Sequence, residues 1–231
     1  MKEIVFYPKS KYIEGIIDAP KPITAPDWFK KLPVYLNSSK QLIVENGDAN
    51  YSAKACLPFL DSLTSGYTFD LWCDILVKNT INGKRITWGH LDYELIPLID
   101  RPDPGMPVMP GFDPMIFSWR SHWGIRTPKG YSCLLTHPFN RTDLPFITST
   151  GIIDTDGWGM WGNQPFGLRK DFEGVIPAGT PIIQIIPFKR DNWKSKIDGS
   201  LTEWGNKENL KSRSKFRGYY KDKFWQKKKY E

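Results

Sequence analysis

Proline and glycine punctuate this chain so densely that long helices have little room. Nineteen of each are spread over 231 residues, and proline both fixes φ and removes a backbone donor. Short strands joined by turns are what such spacing favours. The clearest hairpin signal is Asn82-Gly83, between "TFDLWCDILVKNT" and "KRITWGHLDYELI", because Asn-Gly supplies both positive φ values of a type I′ turn. "TPKG" at 127–130 and "PAGT" at 177–180 place Pro and Gly for further turns. Between and around them, "YSCLLTH", "LPFITSTGIID" and the two apolar halves of "FEGVIPAGTPIIQIIPFKR" read as strands. The expectation is a mainly β chain with a distorted antiparallel β-barrel over residues 59–190.

The flanks differ from this centre. Residues 1–58 carry prolines at 20, 22, 26 and 33, and each pushes its predecessor toward extended geometry, so the segment reads as an arm anchored by Trp28 and Phe29. Residues 191–231 read as a basic, aromatic, partly helical tail. From Lys189 onward there are fourteen Lys or Arg against six Asp or Glu, while the preceding 188 residues hold eighteen against nineteen. Phe216, Tyr219, Tyr220 and Phe224 recur at helical spacing, although Gly218 costs about 1 kcal/mol relative to alanine. Such a tail either docks its apolar stripe on a barrel, its own or a neighbour's, or meets nucleic acid or another polyanion in a salt-sensitive contact.

Several classes are disfavoured. "MKEIVFYPKSKYIEG" lacks the pattern of a secretory signal, and no apolar run approaches the roughly 18 residues of a membrane span. A cytoplasmic protein without membrane contact is expected, in a host cytoplasm or a virion if phage-encoded. Cys56, Cys73 and Cys133 are odd in number, far apart and set among apolar neighbours, which reads as reduced and buried. His90, His122 and His137 have no metal-ligand spacing, so neither a metal nor a cofactor is expected. No Walker loop, Rossmann fingerprint or nucleophile elbow occurs.

The stretch most suggestive of chemistry is "STGIIDTDGWGMWG" at 149–162. Asp154 and Asp156 fit a base activating water, or an acceptor for a base edge or sugar hydroxyl. They equally fit a turn in which Asp side chains bond their own backbone. Trp158 and Trp161 fit a stacking platform or the cover of a barrel mouth or subunit interface. "WRSHWGIRT" brings Trp119, Trp123 and Arg126 together, suited to bases and phosphates or to anchoring a protein interface. His137 and Arg141 in "THPFNR" line a barrel mouth or close a loop.

Three segments carry a resemblance. "SLTSGYTFDLWCDILV" is similar to the first motif of the dUTPase and dCTP deaminase superfamily, where Ala-Gly-Tyr-Asp-Leu opens a strand. Ser65-Gly66-Tyr67 match, and Thr68 and Phe69 are inserted before Asp70-Leu71. "GYSCLLTHPFNRTDLPFITSTGIIDTDGWG" resembles that family's middle, with Gly151, Ile152, Ile153, Asp154, Asp156 and Gly159 on its pattern. The last segment places Gln184 where the family's closing glutamine stands. The resemblance implies a β-clip barrel, commonly trimeric; if the chain is an enzyme, Asp154 and Asp156 are its catalytic carboxylates, and Tyr67, Asp70 and Gln184 are expected at a ligand site or an interface.

The phosphate-gripping features depart from that pattern. Arg141 is not followed by Ser-Gly, Gly157 falls where uracil would rest on a tyrosine, Trp158 replaces a common arginine, and the glycine-rich closing motif is missing. Much of the chain also resembles an uncharacterised family of bacterial and phage proteins, which implies no activity. Two functions are therefore expected in competition. One is a non-enzymatic oligomeric assembly module, of the kind found among phage structural or accessory proteins, with copies of itself or another structural protein as partner. The other is a dUTPase-like nucleotide pyrophosphohydrolase or deaminase using Asp154.

Overall fold

The computed structural model describes residues 2–36, 50–89, 95–96, 105, 107–159, 162–215 and 218–231. The chain divides into two compact units: Met1–Thr24, Leu63–Arg190 and Tyr230–Glu231 form a sheet unit, and Ala25–Ser62 with Asp191–Lys229 form an arm–tail unit.

Short strands dominate the sheet unit, all in antiparallel pairs. β1 (Val5–Pro8) pairs with β7 (Trp123–Arg126). A five-stranded sheet runs in the order β10 (Gly151–Ile153), β8 (Tyr131–Thr136), β13 (Pro181–Lys189), β3 (Tyr67–Asp70) and β2 (Lys21–Pro22). One three-stranded sheet holds β6 (Phe112–Arg120), β11 (Asn163–Arg169) and β9 (Phe146–Thr148). Another holds β12 (Gly174–Ile176), β4 (Ile75–Thr80) and β5 (Gly83–Trp88). Their inner faces share one apolar core that includes Leu71, Ile75, Trp119, Ile125, Leu135, Phe166 and Ile185.

Mainly β, antiparallel structure agrees with the sequence; a closed barrel does not. Among the described residues none of the four sheets closes on itself. The stretch "LPFITSTGIID" shows why. It is two strands that change sheets at Ser149-Thr150, β9 pairing with β11 and β10 with β8, as at the corners of packed sheets. Prolines 114, 165, 181 and 187 also lie within strands and withhold ladder donors. Register slips follow between β13 and β3 and between β11 and β6. Close approach is kept where it matters. Gly66 has φ 84°, and a Cβ there would lie 2.0 Å from the Ile185 carbonyl oxygen, so glycine lets the chain entering β3 press against β13.

The turns are mostly where local chemistry places them. Tyr131 N donates to Pro128 O at 3.2 Å, and Thr180 N donates to Pro177 O at the same distance. The β4–β5 hairpin forms in a different geometry from the type I′ turn expected. Thr80 lies opposite Gly83, leaving Ile81-Asn82 at the tip, and of the pair Asn82-Gly83 only Gly83 has a positive φ, 101°. Thr80 Oγ1 donates to Gly83 O at 2.6 Å and accepts from Asn82 N at 3.3 Å. This side-chain bridge closes the two-residue tip, with glycine supplying the positive φ at the first position of β5.

The arm–tail unit contains α1 (Asp27–Lys31), most of α2 (Leu57–Thr64), α3 (Thr202–Ser214) and α4 (Tyr219–Lys223). Phe29 is buried and its ring lies 6.0 Å from that of Phe59, whereas Trp28 stays exposed. Lys54 Nζ donates to Phe29 O and Lys30 O at 2.9 and 3.0 Å, joining the Leu32 N–H on the first and capping the second at the end of α1. Asp61 accepts from Trp225 Nε1 at 3.0 Å and pairs with Lys228 Nζ at 2.6 Å.

The tail is partly helical, but its apolar stripe does not run as one helix. Gly218 has φ 80°, and α4 begins only after it; Phe216 lies outside the described residues. Tyr220 and Phe224 are exposed rather than buried, the Phe224 ring packing on those of Tyr219 and Tyr220. Cys56 is exposed as well, against expectation, while Cys73 and Cys133 are buried. Burial pushes the Cys73 thiol up to about 11. No helix among the described residues is long and apolar enough to cross a membrane.

Candidate functional site

The loop after β10 is built around a threonine. Thr155 is fully buried, its hydroxyl shares a 2.7 Å hydrogen bond with that of Thr127, and its carbonyl accepts from Thr127 N at 3.2 Å. Gly157 N and Trp158 N both donate to Asp154 O, at 3.1 and 3.0 Å. Inward anchoring of Thr155 leaves the flanking carboxylates at the surface, where the end of β13 meets them.

Arg190 occupies both. Its Nη1 lies 3.0 Å from Asp154 Oδ1 and 2.9 Å from Asp156 Oδ1, and its Nη2 pairs with Asp156 Oδ2. Ser132 Oγ donates to Asp154 Oδ1 at 2.7 Å, and Gly130 N donates to Asp156 Oδ2 at 2.7 Å. The Arg190 backbone is held too, its N–H donating to Gly130 O at 2.8 Å. The Arg190 hydrogen bond, reinforced by the Gly130 N–H, brings the Asp156 carboxyl down to about 2. The Ser132 hydroxyl and then Arg190 lower Asp154 as well. Carboxylates stabilised in the ionised form are weak bases at neutral pH. The arrangement is a clamp joining β8, the loop after β10 and the end of β13.

The glycines of this loop serve a residue that local sequence reasoning missed. A Cβ at Gly159 would lie 2.3 Å from Tyr7 Oη, and one at Gly124 would lie 2.3 Å from the Tyr7 ring. Tyr7 of β1 therefore fills the space beside both glycines. Trp158 is 68% exposed and Ile152, on the outer strand β10, is 65% exposed. Trp161 lies outside the described residues.

Other candidates are dispersed. Trp119 is 0% exposed and stacks on Phe166 with centroids 3.6 Å apart; its Nε1 donates to Thr148 Oγ1 at 3.1 Å. Trp123 is buried, with Nε1 donating to Ile17 O at 3.1 Å. Both indoles belong to the core, while Arg126 at the end of β7 is exposed. Tyr67 Oη donates to Glu231 O at 3.2 Å, and burial raises its pKa. Asp70 pairs with Lys21 Nζ at 2.7 Å. Gln184 is buried and spans two backbones: Oε1 accepts from Phe139 N and Nε2 donates to Ser65 O, each at 2.8 Å.

His137 is likewise a structural tie. Nδ1 accepts from Thr148 N at 3.3 Å, so the proton sits on Nε2, which donates to Arg141 O at 3.1 Å. Burial holds the ring neutral by lowering its pKa. Arg141 grips Asp143 through Nε and Nη2, both at 2.8 Å, on the rim of an open cavity of about 440 Å³ that Leu144, Phe172, Val175 and Thr180 also line. Two loops distant in sequence form this cavity, and neither signals it alone. The segments that carried the resemblance do share one sheet: Tyr67 lies opposite Ile185, Gln184 opposite Thr136, and Leu135 opposite Gly151. None of the family models, curated proteins or solved structures compared with the chain matches it.

Proposed function

We propose that this protein is a non-catalytic module that works by assembling with copies of itself. The observation carrying the first half is the Arg190 clamp. Asp156 is held through both oxygens by Arg190 and Gly130, exposed Asp154 is held through Oδ1 by Arg190 and Ser132, and Gln184 and Tyr67 are spent on backbone ties. A nucleotide hydrolase needs free donors aimed at phosphate; here the cation beside the carboxylates, Arg190, already answers two anions. The gathering of the matched segments in one sheet supports a dUTPase-like plan that has kept its framework.

Support for assembly comes from the outer edge of the five-stranded sheet. Among the described residues β10 pairs with one strand, β8, and Ile152 on β10 and Trp158 in the loop after it are large exposed apolar side chains. An antiparallel pairing of β10 with β10 of a two-fold-related copy sets Ile152 against itself, a self-complementary contact. The sheet unit contains sixteen Lys or Arg and sixteen Asp or Glu, so this unit adds no net charge to the contact. Light scattering after size exclusion is expected to give a multiple of the 26.7 kDa chain mass, and Ile152→Asp with Trp158→Ser is expected to give the monomer. A wild-type monomer at every concentration overturns the assembly half. Pyrophosphate release from dUTP or dCTP above background overturns the non-catalytic half.

A further inference from the structure

All of the chain's excess charge lies in one unit. The arm–tail unit holds sixteen Lys or Arg against nine Asp or Glu, a surplus equal to the +7 of the whole chain. Its acids are largely occupied: Asp198 pairs with Lys196 at 2.7 Å, Glu208 with Lys211 at 2.5 Å, and Asp222 with Lys215 at 2.6 Å. Lys194, Lys207, Arg213, Lys221, Lys227 and Lys229 make no ion pair among the described residues. Between these cations stand aromatic side chains that no core covers. Trp193 is 91% exposed and Trp204 is 60% exposed, with Tyr220 and Phe224 half-exposed further along.

Cations tracking a strand, with bare π-faces set among them, are the two components of single-strand binding surfaces. We infer that residues 191–215 and 218–229 form a binding surface for single-stranded nucleic acid, the free Lys and Arg taking phosphates and Trp193 and Trp204 stacking on bases. An intact duplex buries its base faces and offers an exposed indole nothing to stack on. A membrane surface fits less well. An interfacial helix needs one continuous apolar face, whereas Trp204 and Leu210 in α3 lie about 120° apart around the helix. The inference concerns the arm–tail unit alone and does not depend on the assembly reading.

Fluorescence anisotropy of the full chain with a labelled oligothymidylate of about twenty nucleotides, long enough for several contacts, provides the test. Binding is expected to weaken from about 50 to 200 mM salt with a log–log slope of about −3 to −4, as for four to six phosphates on a single strand. Trp193→Ala and Trp204→Ala, both at exposed positions, are each expected to weaken binding about tenfold and leave the slope unchanged. Lys207→Glu with Arg213→Glu is expected to make the slope shallower. The inference fails if the oligonucleotide does not bind at about 50 mM salt, or if the tryptophan variants bind as wild type. It fails equally if a duplex of the same length binds as tightly, or if only anionic phosphatidylserine vesicles bind.

Discussion

Trp119 and Trp193 are the same residue put to opposite uses, and the two units of the chain differ in the same way. In the sheet unit, charges balance and the core indoles are inside, with Trp158 of the loop after β10 left exposed: Trp119 stacks on Phe166, and Trp123 finds the Ile17 carbonyl. In the arm–tail unit, cations exceed acids by seven, and Trp193 and Trp204 face solvent. A neutral surface with a buried aromatic core suits a framework that packs against like copies. A cationic surface with bare aromatics gains nothing internal from them, so their value lies outside the chain. The difference separates residues that make the fold from residues that use it.

The largest effect expected from this contrast is at Trp119. Its removal leaves a cavity beside Phe146 and Phe166 and orphans the Thr148 hydroxyl bond. Trp119→Ala should cost about 3–5 kcal/mol of stability, a large share of the total for an ordinary domain. Urea unfolding followed by far-ultraviolet circular dichroism gives the number. A cost below about 1 kcal/mol would mean that the indole is not a core element, and the contrast would break.

A smaller effect tests whether the Arg190 clamp belongs to the framework. The folded Asp156 carboxyl sits at about 2, below the roughly 3.9 of an unfolded aspartate. A depressed acid contributes stability that is complete above the unfolded value and lost as pH falls through the folded one. Wild type should therefore lose thermal stability between about pH 4 and pH 2. Asp156→Asn should begin lower at neutral pH and converge on wild type across that window. Asp198, also near 2, is held by Lys196 and Ser200 in the arm–tail unit, so Asp198→Asn serves as the control that leaves the sheet transition unchanged. Parallel wild-type and Asp156→Asn profiles from pH 7 to pH 2 would show that the clamp adds nothing to the sheet unit.

Much of the fold was legible because its signals are local. Gly130 and Gly179 take positive φ in the turns that "TPKG" and "PAGT" announce, and apolar stretches bounded by that turn chemistry mark β8 and β13. What stayed hidden depends on partners distant in sequence. Nothing near Asp156 reveals that Arg190, thirty-four residues on, will clamp it, and nothing near Gly159 reveals Tyr7. Sheet closure was misjudged for the same reason: the change of sheet at Ser149-Thr150 depends on which strands wait on either side. The expected stripe of Phe216, Tyr219, Tyr220 and Phe224 failed for a local reason instead. Gly218 was visible in the sequence, and its left-handed φ of 80° separates α4 from what precedes it.

The smallest expected effect is also the sharpest for the comparison. Trp193 is exposed in the folded chain nearly as fully as it is in an unfolded one, at 91%, so folding transfers almost none of its apolar surface out of water. With hydrophobic stabilisation of roughly 25 cal/mol per Å² acting only on surface actually removed, Trp193→Ala should change stability by no more than about 0.5 kcal/mol. Trp204, at 60% exposed, should lie close to that limit. The same substitution that is severe at Trp119 is then silent at Trp193, although both disrupt an aromatic flanked by polar residues in sequence. A loss of more than about 1 kcal/mol at Trp193 would place its ring against protein surface in solution. Stacking on a nucleobase would then compete with an existing contact instead of filling an open one.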